Sequence, residues 1–142
     1  MTVTATTGDG PLLVEGTWTP TATQLLRFSA LTWNSHLIHT SREHAVAYGL
    51  DDVVVHAQLH ACAITRICLA GLGPGWRLTG VTWTNRAPAV VGQPLRVTGR
   101  VEHSADGRRA EIAVHEERPD GARCVEGRMT VTTDDPHREA DR

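Results

Sequence analysis

Ala57-Gln-Leu-His-Ala-Cys-Ala-Ile-Thr-Arg-Ile-Cys-Leu-Ala-Gly-Leu72 is the stretch that decides the fold. Its residues are apolar or small nearly all round, which is the pattern of a helix buried on most of its surface. Gly71 and the run Gly73-Pro74-Gly75 stop it. Such a helix needs a wrapper, and the second half of the chain offers one. Arg77 to Asn85, Pro94 to Ser104, Arg108 to Arg118 and Ala122 to Thr133 show β-branched alternation, broken by Gly92-Gln-Pro94, Asp106-Gly107 and Asp120-Gly121. These segments read as an antiparallel meander. One long buried helix plus such a sheet is an α+β layer arrangement.

Working outward toward the N-terminus, Val14 to Thr19 reads as a short strand. Pro20 with Thr21 or Thr23 then opens a helix whose apolar positions Leu25, Leu26, Phe28 and Leu31 share a face. Thr40-Ser-Arg-Glu43 has the spacing of a capping box, and the short helix it starts should end at Gly49 in a left-handed conformation. Residues 1–12 are rich in Thr and Gly, and 134–142 carry little to bury, so both ends are expected to be flexible. The working domain is then 13–133.

The chain has 142 residues, enough for one domain with a single core. With four Trp, one Tyr and one Phe, that core must be chiefly aliphatic. The 14 basic residues are all Arg, and against 16 acidic ones they leave a net charge of -2. That balance excludes a nucleic-acid-binding surface of the usual kind. Three cysteines is an odd number, and Cys62 and Cys68 lie nearly two helical turns apart, too far for an easy bridge. With no export signal and no apolar run long enough to cross a membrane, a cytoplasmic protein is expected.

Between the two N-terminal helices lies Asn34-Ser35-His36-Leu37-Ile38-His39, four hydrogen-bonding side chains strung through two apolar ones. Histidine titrates near neutrality and is suited to proton transfer, whereas Asn only donates and accepts hydrogen bonds. His36/His39 and His56/His60 also have ligand-like spacings, but no acidic partner of the HExxH kind accompanies them. No metal and no cofactor is expected.

The run from Phe28 to His39, with Val53-Val-Val-His-Ala-Gln-Leu59, resembles the MaoC-like, hotdog-fold thioester hydratases and dehydratases. Trp33, Asn34, His36, Ile38 and His39 match the Phe/Trp-Asn-x-His-x-Ile-His pattern of their type 2 3-hydroxyacyl-thioester dehydratase branch, and the likeness spans roughly residues 22–100. The more general family pattern, Asp-x-Asn-Pro-(Leu/Ile)-His, is met only in part, with Asn34, His36 and Leu37 at its Asp, Asn and Pro.

The resemblance implies a single hotdog, a curved antiparallel sheet around a central helix, and an enzyme that interconverts 3-hydroxyacyl and 2-enoyl thioesters of CoA or an acyl carrier protein. It implies His39 as acid and base, Asn34 as the holder of a water or hydroxyl, and a share of the proton traffic for His36, which is equally readable as a hydrogen-bonded loop residue. The turn His56-Ala57-Gln58 would supply substrate-binding and oxyanion-stabilising groups, Ala57 standing where the family has Gly. Arg86 and Arg96 are candidates for contact with the phosphates of the carrier. A homodimer is expected, and no membrane or nucleic-acid partner. Other readings stay open: a repurposed isomerase or cyclase of a biosynthetic pathway, a non-catalytic acyl-thioester binder, or a hotdog thioesterase. Against the last, no carboxylate lies between Asp52 and Gly71.

Overall fold

Strands in which every second side chain is buried have one face to cover, and the covering element is the long helix. The computed structural model describes residues 2–6, 11–103 and 107–134. In chain order the elements are β1 (Thr2–Thr6), β2 (Leu12–Trp18), α1 (Ala22–Thr32), a 3-10 turn (Leu37–His39), α2 (Arg42–Ala47), α3 (Ala57–Leu72), β3 (Arg77–Asn85), β4 (Leu95–His103), β5 (Arg109–Glu117) and β6 (Arg123–Thr132). The six strands form one antiparallel sheet in the order β1-β2-β4-β5-β6-β3. This is the hotdog layout, an α+β sheet around a helix.

On the inner face, Val14 of β2, Leu95, Val97 and Val101 of β4, Ile112 and Val114 of β5 and Met129 and Val131 of β6 pack with Ile64, Ile67 and Cys68 of α3. Each such fully buried aliphatic side chain contributes about 1.5–3 kcal/mol. Two glycines let the helix approach β2 this closely. A Cβ on Gly71 would lie 2.3 Å from a methyl of Val14, and one on Gly16 2.6 Å from a methyl of Ile67.

Several expectations are corrected. β3 does not pair with β4; it pairs with β6, so the meander is β4-β5-β6 alone and β4 enters beside β2. The segment between β3 and β4 is tied down instead by Val55 N–H to the Ala89 carbonyl (2.9 Å) and Gly92 N–H to the Pro20 carbonyl (2.8 Å). Thr2–Thr6, expected to be loose, completes five antiparallel pairs with β2, from Thr2 opposite Thr17 to Thr6 opposite Leu13. At the other end Asp134 is bonded by Arg77 (2.6 and 2.9 Å), and 135–142 lie outside the described residues. On α1 the buried face is Leu25 and Ser29, while Leu26 and Leu31 are exposed. Ser41, not Thr40, caps α2, accepting from His44 N–H rather than taking part in a box with Glu43. Cys62, placed on the buried side by its apolar neighbours, is exposed.

Candidate active site

The segment from α1 to α3 is folded by its own polar side chains. Thr21 and Gln24 cap α1 reciprocally, and the helix ends at Trp33, which has a left-handed backbone (φ 54). Asn34 then turns the chain by accepting His36 N–H at its Oδ1 (3.1 Å), leaving its amide N–H groups as donors. His36 caps the 3-10 turn, its Nδ1 accepting Ile38 N–H (3.4 Å), and its ring meets Tyr48 edge-on at 5.4 Å.

His39 ends that turn half-buried, with Nδ1 2.8 Å from the Val54 carbonyl oxygen. A carbonyl only accepts, so Nδ1 carries the proton and the neutral ring keeps its lone pair on Nε2. Val54 is itself held, by Ile38 on one side (3.0 Å) and a β-bridge to Val90 on the other. The clamp on His39 is therefore anchored through backbone. Burial holds the His39 imidazole below its ordinary pKa, reinforced by His36 and opposed by the Val54 bond.

Behind His39 lies His56, fully buried, its ring stacked on that of His39 at 3.8 Å and 16°. Ser29 Oγ lies 2.9 Å from His56 Nε2, and Phe28 packs against the same ring at 5.0 Å. Burial pushes His56 down to about 4, with the charges of His39 and His60 acting in the same direction, so it is neutral at physiological pH. His56 is also the N-cap of α3, but its side chain makes no capping bond. Its carbonyl accepts Leu59 N–H (3.0 Å) and His60 N–H (3.2 Å), and among the described residues no backbone carbonyl bonds the amides of Ala57 and Gln58. A helix start with open amides favours negative charge.

The structure thus gathers Asn34, His36, His39, His56, Ala57 and Gln58 at one end of α3. Arg86 and Arg96 are not among them. Arg86 Nε donates to Glu126 (2.9 Å) and Arg96 to Glu117 (3.2 Å), both guanidiniums being exposed on the strand side. The ligand-like pair His56/His60 is taken up by other partners, Ser29 for the first and Glu116 for the second. Among the described residues no group of three His, Cys, Asp or Glu is arranged to hold a metal ion.

Four participants escape a reading of motifs: Ser29, the Val54 carbonyl, Trp18 and Glu116. Glu116 carried a signal. It follows Ala110, Ile112 and Val114 at the inward positions of β5, where a charged residue is out of place, and it is fully buried. The carboxylate missing from the α3 sequence is therefore present in space. Both of its oxygens are engaged, by Trp18 Nε1–H (2.7 Å) and by His60 Nδ1, which leaves it unsuited to activating a water for thioester hydrolysis.

Residues 9–91, which include every histidine of this site, match the family model for hydroxyacyl-thioester dehydratase type 2. No curated protein matches the sequence. Among solved structures, an (R)-hydratase from A. caviae involved in PHA biosynthesis superposes with a TM-score of 0.82 at 20% identity, covering 91% of this chain and 99% of that one. The R-hydratase PhaJ1 from Pseudomonas aeruginosa gives 0.79 at 21% identity, over 87% of this chain and 81% of its own. A 3R-hydroxyacyl-ACP dehydratase complex, HadBC from Mycobacterium tuberculosis, gives 0.71 at 16% identity, over 89% and 98%. At these identities the structures speak for the fold.

Proposed function

The chain belongs to the hydroxyacyl-thioester dehydratase type 2 family, and from that premise we propose that it interconverts 3-hydroxyacyl and 2-enoyl thioesters, with His39 as acid and base. The observation that carries this reading is the bond from His39 Nδ1 to the Val54 carbonyl, because it leaves the basic lone pair on Nε2 of a half-buried, neutral imidazole. In dehydration, Nε2 takes the proton from C2, which the thioester carbonyl acidifies. The electron pair forms the C2–C3 double bond, the C3–O bond breaks, and the imidazolium returns its proton to the departing hydroxyl as water. Hydration is the reverse.

Negative charge gathers on the thioester oxygen as C2 loses its proton, and the open amides of Ala57 and Gln58 at the start of α3 are assigned to receive it. Asn34, its oxygen held by His36 N–H, offers its amide to the water or hydroxyl. His36 has its Nδ1 taken by Ile38 N–H, which supports a positioning role over proton transfer. Arg86 and Arg96 would have to exchange Glu126 and Glu117 for a carrier phosphate, so they stand at the edge of the proposal.

A homodimer belongs to the same reading. Gln58, Cys62, Arg66 and Ala70 form an exposed stripe along α3, and β3 is an open edge strand with Val81 uncovered. Sedimentation as a monomer at micromolar concentration would count against it. All three cysteines are free, which supports a reducing, cytoplasmic setting. No described helix is long and apolar enough to cross a membrane.

The decisive assay incubates the protein with crotonyl-CoA and with a longer 2-enoyl thioester, following enoyl absorbance and free thiol together. Loss of absorbance without thiol is the expected result. Thiol release would mean hydrolysis, and no change with either substrate would sink the proposal.

A further inference from the structure

Glu116, His60 and Trp18 take no part in the chemistry just assigned, yet they form a polar contact in the interior. Glu116 is 0% exposed and His60 4%. One carboxylate oxygen accepts Trp18 Nε1–H and the other is in hydrogen-bond contact with His60 Nδ1, while the Trp18 and His60 rings meet edge-on at 6.0 Å. Three elements, β2, β5 and α3, are joined at this one carboxylate. Burying a charge-bearing group usually costs more than its pairing returns, so such a cluster is a poor source of stability and a good source of fixed geometry.

What it fixes is the first turn of α3. That turn lacks a side-chain cap at His56. Its closing bond runs from the His60 amide to the His56 carbonyl (3.2 Å), so the residue anchored on Glu116 is also the one that closes the turn on His56. The His56 ring in turn backs His39 at 3.8 Å, and Ala57 and Gln58, the open amides, lie between the two anchored histidines. Trp18, the third member, ends the strand that leads through Pro20 and Thr21 into α1, which carries Ser29 to the His56 ring.

We propose that Glu116 is a positioning residue for the active site: through His60 and Trp18 it sets the first turn of α3, and with it the His56 ring against His39 and the open amides of Ala57 and Gln58. The proposal rests on the dehydratase reading for its kinetic test and not for its spectroscopic one. The hydrogen bonds carry the effect, so Glu116→Gln, whose amide oxygen can accept from Trp18 and whose amide N–H can donate to Nδ1 of His60 in its Nε2–H tautomer, retains it. Glu116→Met, of similar length but unable to do either, loses it.

The experiment compares these variants as full-length chains. In Glu116→Met, kcat should fall about 10- to 100-fold with KM changed by less than about threefold, since a lost positioning bond is felt in the reacting geometry. Glu116→Gln should recover kcat to within about threefold of wild type. Histidine 15N spectra should show the His39 ring with a protonated Nδ1 in wild type and in Glu116→Gln, and shifted His39 and His56 ring signals in Glu116→Met. Should Glu116→Met fail to fold, Glu116→Met/His60→Leu, which leaves no unpaired charge inside, takes its place with the same expectation. A folded apolar variant with wild-type kcat and unshifted His39 and His56 signals overturns the proposal, as does a Glu116→Gln protein as impaired as Glu116→Met. If the wild type is inert on enoyl thioesters, the dehydratase reading fails and the spectra alone decide this one.

Discussion

His36 and His39 lie on a turn at the surface and use their Nδ1 atoms on backbone groups, whereas His56 and His60 lie on the first turn of a buried helix and use side-chain partners. The difference sorts them by chemistry. Backbone anchoring from one side holds a ring still while leaving Nε2 for substrate. Enclosure by Ser29, Phe28, Trp18 and Glu116 holds the other pair as a support. Two histidine pairs of similar spacing thus divide into one held from one side by backbone and one enclosed by side chains, and the proposed chemistry is assigned to the first.

The largest test of that division is His39→Gln. It keeps a polar side chain of similar reach but cannot exchange protons, so kcat should fall about 10²- to 10⁴-fold with KM little changed. His36→Gln should stay within about tenfold, because its Nδ1 already serves the turn. Near-normal turnover by His39→Gln with an inactive His36→Gln would invert the assignment.

The buried pair should reveal itself in stability against pH. The His56 pKa falls from 6.5 in the unfolded chain to about 4 in the folded one, so between those values the unfolded state binds more protons. Its contribution is intact above about 6.5 and is lost as pH drops toward about 4, a change on the order of 3 kcal/mol. Urea melts at pH 7 and pH 4.5 should show this loss in wild type and much less of it in His56→Gln. Equal slopes for the two proteins would mean that His56 is not held neutral by burial.

Asn34→Ala should cost less than His39→Gln, about 10- to 100-fold in kcat, because a positioned hydrogen bond is worth roughly 1–3 kcal/mol. A loss matching that of His39→Gln would mean that Asn34 does more than hold a hydroxyl. The smallest effect is at the entrance to the turn. Trp33 has a left-handed backbone and a side chain that is 93% exposed, so Trp33→Gly gives up little packing. It should raise stability by about 0.5–1 kcal/mol in thermal melts. Destabilisation would show that the indole is packed against a partner in solution.

Local patterning made much of this molecule legible. Hydrophobic periodicity located α3 and the strands from β2 to β6 to within two residues at either end, and Gly92, Gly107 and Gly121 all have the positive φ expected of their turns. Thr21 caps α1 and Gly49 follows α2 with φ 80, both as their residue types suggest. The hexapeptide was legible as a polar segment between two helices bearing Asn34, His36 and His39, and in the structure Asn34 and His36 make local side-chain bonds to backbone N–H groups.

The rest depends on contacts between residues far apart in the chain. Neither propensity nor alternation says which neighbour a strand takes, so the expected meander missed β3 joining β6 and the expected flexible N-terminus missed β1 joining the sheet. The single apolar face read on α1, Leu25, Leu26, Phe28 and Leu31, is split by packing, which buries Leu25 with Ser29 and leaves Leu26 and Leu31 exposed. Spacing identified four histidines by residue type alone. For His39, His56 and His60, which nitrogens remain free was decided by Val54, Ser29 and Glu116, which lie 15, 27 and 56 positions away from the histidines they bond. A proton's place on an imidazole is set by the atom opposite it, and that atom is brought there by the tertiary fold.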